Sequence, residues 1–125
     1  MIDNLDDELG AWLHRVCSTE VPPSSVIAYN IGLFETPSGY SAYLSGADTF
    51  DEEGNAWACK ETFTPTERYF AIPSSSGGED WEEILNAVIA VAKKFLSSPA
   101  GSRSYLMSAQ AVAVGFDDGD LVRIK

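Results

Sequence analysis

The sequence predicts an α+β fold: an antiparallel sheet of five to seven strands, with an N-terminal helix and a longer central helix packed on it. Two segments repeat apolar residues every three or four positions, and several shorter ones alternate them every second position. The strand-like segments are joined by proline- and glycine-bearing turns suited to hairpins. They also run in groups between and after the helices, so a regular strand–helix alternation is absent.

Residues 3–18 are the first predicted helix. Leu5, Leu9, Trp12, Leu13 and Val16 share one face. Asp3 is its N-cap, and Asp6, Asp7 and Glu8 suit the positive end of the helix dipole. Val21-Pro22-Pro23 stops it. Residues 25–35 read as a strand with Ile27, Tyr29, Ile31 and Leu33 on one face, and 40–46 return as its hairpin partner across the turn Thr36–Gly39. Asp48 to Asn55 is an acidic loop. Residues 56–60 and 67–72 read as a third and a fourth strand, separated by Pro65. Pro73 and the run Ser74–Gly78 connect to the second helix, 80–97, where Trp81, Ile84, Leu85, Val88, Val91, Ala92, Phe95 and Leu96 make a broad apolar stripe. Asp80 and Glu83 cap its start, and Lys93 and Lys94 suit its end. Residues 104–108 fit a short strand or a helical turn. Residues 110–116 read as a strand, Asp117–Asp120 as a hairpin turn, and Leu121–Ile124 as the strand that pairs back.

At 125 residues with 45% apolar content, the chain suits one domain with an ordinary core, and residues 1–125 are read so. The N-terminus is acidic where a secretory signal would be basic and then apolar, and no apolar run spans a membrane, so a cytoplasmic location is expected. Cys17 and Cys59 read as reduced thiols. The net charge is −11, with 19 acids against eight bases. That balance disfavours nucleic acid and anionic membrane as partners and favours a basic one.

Known chemistries fare poorly. His14 is the only histidine, which excludes a Ser-His-Asp hydrolase. Cys17 lies one turn from it, but the acids upstream oppose a thiolate, so both residues read as structural. One histidine and two distant cysteines make no zinc site. The run from Asp48 lacks calcium-loop spacing, and the run from Asp117 reaches the chain end too soon. Ser74–Gly78 resembles an anion loop but leads into Glu79, Asp80, Glu82 and Glu83, which repel phosphate. No cofactor, metal or catalytic residue is therefore expected.

The acids themselves remain. Fifteen of the 19 fall in four clusters, and two of those are explained by helix N-termini. The other two sit in loops where no local rule demands them. Asp48, Asp51, Glu52 and Glu53, with Asp117, Asp118 and Asp120, are the predicted partner-binding acids. Trp57 joins them as an aromatic anchor, with Tyr43 and Phe50 nearby, against the alternative that these rings pack in the core.

The stretch GYSAYLSGADTFDEEGNAWACKETFTPTERYFAIP from Gly39, the helix WEEILNAVIAVAKKFL and the closing AVAVGFDDGDLVRI together resemble small immunity proteins of bacterial polymorphic-toxin and contact-dependent inhibition systems. The resemblance implies an inhibitor that binds one cognate toxin domain. Charge adds that such a toxin would be basic. A different reading is a small acidic adaptor or assembly protein, whose charge serves solubility. An enzyme using carboxylates would need a concave pocket with convergent acids.

Overall fold

The computed structural model describes residues 5–37, 39–51, 53–54, 56–72, 80–117, 119 and 121–125. Helix α1 runs Leu5–Thr19, followed by the hairpin of β1 (Ala28–Thr36) and β2 (Gly39–Ala47). A 3-10 helix, Ala56–Cys59, precedes the short strands β3 (Glu61–Phe63) and β4 (Tyr69–Ala71). Helix α2 spans Trp81–Ser97, then come the single turns α3 (Pro99–Ser102) and α4 (Tyr105–Ser108), strand β5 (Ala111–Phe116) and the two-residue β6 (Val122–Arg123). The sheet order is β3-β2-β1-β5-β6, with β4 also paired to β2.

The α+β class and both helices match the sequence reading, but the sheet is mixed and not wholly antiparallel. β1 pairs with β5 in parallel, from Ala28 beside Ala111 to Leu33 beside Phe116. Parallel neighbours need a crossover connection. Helix α2 supplies it, carrying the chain from β4, on one side of β1, back to β5 on the other.

The second correction is at residues 56–60. They form a 3-10 turn closed by Lys60 N–H donating to Trp57 O (3.0 Å), and are not a strand. Both stretches of β2's free edge are already taken, by β3 and by β4. The turn instead aims the Trp57 ring at a pocket of alanines. Residues 104–108, left between strand and helix by their sequence, resolve as α4. The proposed cap Asp3 and the connection Pro73–Glu79 lie outside the described residues.

One face of the sheet carries Tyr29, Ile31, Leu33, Leu44, Val112 and Val114, and α1 and α2 cover it. The stripe on α1 is as expected: Leu5, Leu9, Trp12, Leu13 and Val16 are all buried. Trp12 also donates its indole N–H to Glu67 O (2.8 Å) and stacks on Phe70 at 5.6 Å, tying α1 to the entry of β4. Asp80 caps α2, accepting from Glu83 N–H at 2.9 Å. Trp81 leaves the apolar stripe and is 56% exposed.

The opposite face is floored by small residues: Ala28, Gly32, Ala47, Ala111, Ala113 and Gly115. Such a floor lets large rings pack on it. Trp57 does so over the alanines at one end. Tyr43 does so over Gly32, where a Cβ would meet the tyrosine ring at 2.1–2.4 Å. On the same face Asn30 is 3% exposed and its Oδ1 has no hydrogen-bond partner among the described residues.

Gly32→Ala should therefore displace Tyr43 and cost about 1–3 kcal/mol of stability in urea denaturation. Gly10→Ala should instead stabilise, by about 0.4–1 kcal/mol, because a helical Cβ there meets open space. Equal effects from the two substitutions would contradict the ring-on-glycine packing.

Candidate functional site

The structure separates the two acidic loops. Asp48 follows β2, whose end lies beside Ala28 at the start of β1. Asp117 follows β5, whose end lies beside Leu33. The two loops therefore flank opposite ends of the sheet, about 17 Å apart at ~3.3 Å per residue along β1. At the first end Asp48, Asp51 and Glu53 are exposed, and Asp51 Oδ1 accepts from Glu53 N–H (2.9 Å), which shapes the turn. Glu52, Asp118 and Asp120 lie outside the described residues.

Trp57 is 4% exposed and is not available as a surface anchor. Its ring packs against Ala28, Ala47, Ala111 and Ala113 and meets Phe50 edge-on at 5.3 Å. Phe50 in turn carries the Arg123 guanidinium over its ring at 4.9 Å. Of the two readings its sequence allowed, core packing is the one realised.

Asp117 belongs to a different and richer setting. A cleft of about 570 Å³ opens between the C-terminal ends of β1 and β5, the start of β2 and the first turn of α2. Phe34, Tyr40, Trp81 and Phe116 line it, with the exposed carboxylates of Glu35 and Asp117. Phe116 is the shared partner of the wall: Tyr40 stands edge-on to it at 5.7 Å and Trp81 at 6.2 Å. Parallel strands place their carboxyl ends together, and the crossover helix begins above them, so a crevice there follows from the topology.

The cleft is electronegative. Partial burial, then the carboxylates of Glu35 and Asp80, hold the Tyr40 phenol above its ordinary range. Tyr43 donates to Asp117 Oδ1 at 2.5 Å. Burial first, then that bond and the fields of Asp117 and Glu61, push its pKa up as well, against the opposing pull of Arg68. Among the described residues lining the cleft there is no lysine or arginine.

Elsewhere the surface offers less chemistry. Burial raises the Cys17 thiol to about 11, despite hydrogen bonds from Tyr105 and Ser104 that pull the other way. His14 is exposed, and no hydrogen bond joins it to Cys17 among the described residues. No group of three or more His, Cys, Asp or Glu among them is placed to hold a metal ion. No helix among them is long and apolar enough to cross a membrane.

Sequence reasoning found Asp117 but missed Glu35, Trp81, Phe34, Tyr40 and Phe116. The available signal was Trp81 itself, a large aromatic within an acidic first turn and one turn ahead of the helix's buried stripe. No protein-family model, curated protein or solved structure matches the chain.

Trp81 is a native reporter, because Trp12 and Trp57 are buried. At low salt, caesium should quench its fluorescence several-fold more efficiently than iodide, since the field around it attracts cations. Iodide quenching as well as caesium would contradict the electronegative cleft. At pH 8, iodoacetamide should label exposed Cys59 well before Cys17, whose thiolate fraction is roughly one in a thousand for a pKa near 11. Labelling at similar rates, read by mass spectrometry, would contradict the raised pKa of the half-buried Cys17 thiol.

Proposed function

We propose that this protein is a cytoplasmic immunity-type inhibitor that binds and neutralises a cognate, basic bacterial toxin domain. The observation that carries the reading is exposed acid without an ion-pair partner, among the described residues, at both ends of the sheet. Three ion pairs among the described residues engage Glu67, Glu61 and Asp6, and none engages Asp48, Asp51, Glu53, Glu35 or Asp117. Nothing in local structure uses these charges, apart from Asp51 shaping its turn and Asp117 holding Tyr43. Unpaired carboxylates crowded on a chain of net charge −11 repel one another and cost stability, which a partner of opposite sign would relieve.

The physics of inhibition is then charge mimicry. A toxin that cuts nucleic acid holds a polyanion, so its active site is basic, and an acidic surface can occupy it. Carboxylates at sheet ends about 17 Å apart, at ~3.3 Å per residue, span several phosphate spacings of a nucleic acid backbone. Long-range attraction would speed the encounter and make it sensitive to salt.

Co-expression with the product of the adjacent gene tests the reading. The two proteins should co-purify, and cells making that product should survive only with this protein present. No association and no protection would sink the proposal. Reversal of Asp48, Asp51 and Glu53 to lysine should slow association about tenfold or more at low salt and flatten its salt dependence, measured by stopped flow. An unchanged association rate would remove these loop acids from the interface.

A further inference from the structure

The cleft at the carboxyl ends of β1 and β5 combines three properties that together select a ligand. Its walls are aromatic, its rim carries Glu35 and Asp117, and no basic residue among the described ones occupies it. Its volume of about 570 Å³ lies in the range of small-ligand sites, roughly 300–1,000 Å³. Trp81 and Tyr40 both stand nearly perpendicular to Phe116, at 89° and 76°, and Trp81 remains more than half exposed. Its indole is thus not used up by stacking within the protein.

An anion is repelled there, and a neutral apolar group makes no use of the carboxylates. An organic cation uses both. Between the two protein cations, guanidinium fits better than ammonium. It is flat and weakly hydrated, stacks on rings, and presents forked donors to a carboxylate at the same time. The protein already makes this arrangement on its neighbouring face. Arg68 lies 5.0 Å over Tyr43 and 5.2 Å over Tyr69 while donating to Glu61 Oε2 at 2.6 Å. The cleft repeats the aromatic and acidic parts of that arrangement without the arginine.

We propose that the cleft seats an arginine side chain presented by a basic protein partner, its guanidinium stacked on Trp81 and drawn to the Glu35 and Asp117 carboxylates. That the arginine comes from a partner rests on the reading above; that the cleft takes a guanidinium does not.

The three tryptophan indole N–H resonances of ¹⁵N-labelled protein provide the test, titrated at constant ionic strength with N-acetyl-arginine methylamide. The Trp81 resonance should move progressively while those of Trp12 and Trp57 stay still. N-acetyl-glutamine methylamide should move none, and the lysine analogue should bind at least threefold more weakly. Glu35→Gln, which leaves the Tyr43–Asp117 bond in place, should weaken the arginine titration at least threefold. Glu35→Gln with Asp117→Asn should weaken it further. A Trp81 response no larger for arginine than for glutamine, or indifferent to Glu35→Gln, would overturn the inference. Equal binding of lysine would overturn the choice of guanidinium. If the arginine probe is silent while the adjacent gene's product still binds, the cleft inference fails and the inhibitor reading stands. If the probe binds and that product does not, the cleft stands and the inhibitor reading fails.

Discussion

β1 has partners along both edges and cover on both faces, and the rest of the structure is arranged to satisfy it. Residues Ala28 to Leu33 are buried without exception. Their backbone groups pair antiparallel with β2 and parallel with β5. The hairpin to β2 is local and simple. The parallel neighbour obliges the chain to return across the helix-bearing face, and the 17 residues of α2, about 26 Å at ~1.5 Å per residue, cover that distance. A returning helix starts over the carboxyl ends of the strands it joins. Trp81 therefore meets Phe116 there, which Tyr40 also faces edge-on, and the cleft is a by-product of how β1 gained its second partner.

The other face of β1 explains where the acids sit. Ala28, Gly32, Ala111, Ala113 and Gly115 floor it around Asn30, so no large side chain rises from the sheet's centre. Rings anchored at its margins lie across it, Trp57 from the 3-10 turn and Tyr43 from β2. Each end of the sheet is then finished by a loop. Those loops carry Asp48, Asp51 and Glu53 at one end and Asp117 at the other. The acids of helix starts have a different origin: Asp6, Asp7, Glu8, Glu82 and Glu83 lie in first turns, where the helix dipole welcomes them. The loop acids are the part left over after that subtraction, and the proposed function rests on them.

How much of this was legible in the sequence depends on the range of the interaction. Both long helices were readable, because a 3.6-residue stripe and the Asp80 cap are local signals. The hairpin of β1 and β2 was equally plain from its alternation and its Pro37–Gly39 turn. The parallel pairing was not, although the unbroken apolar run Ala111–Val114 is what a strand covered on both faces looks like. Alternation in five residues could not separate a strand from the 3-10 turn at Ala56–Cys59, since the edge it would need was filled by β3 and β4. The acidic loops were found as segments, but their placement at opposite sheet ends follows only from topology. Trp57 was misplaced as an anchor because its burial depends on Ala28, Ala47, Ala111 and Ala113, which come from three separate strands. The cleft shares that problem: its residues come from β1, β2, β5 and α2, and nothing local marks them as a group.

On the proposed reading, a basic partner meets the acidic loops at the two ends of the sheet and the cleft at the carboxyl ends of β1 and β5, and not the outward sides of α1 and of α2 beyond its first turn. Backbone amide shift mapping of the labelled protein, saturated with the adjacent gene's product, tests it most directly. Perturbations should concentrate on residues 34–35, 48–53, 81 and 116–119. Perturbations confined to the exposed sides of α1 and α2, around Gly10, His14 and Lys94, would contradict it.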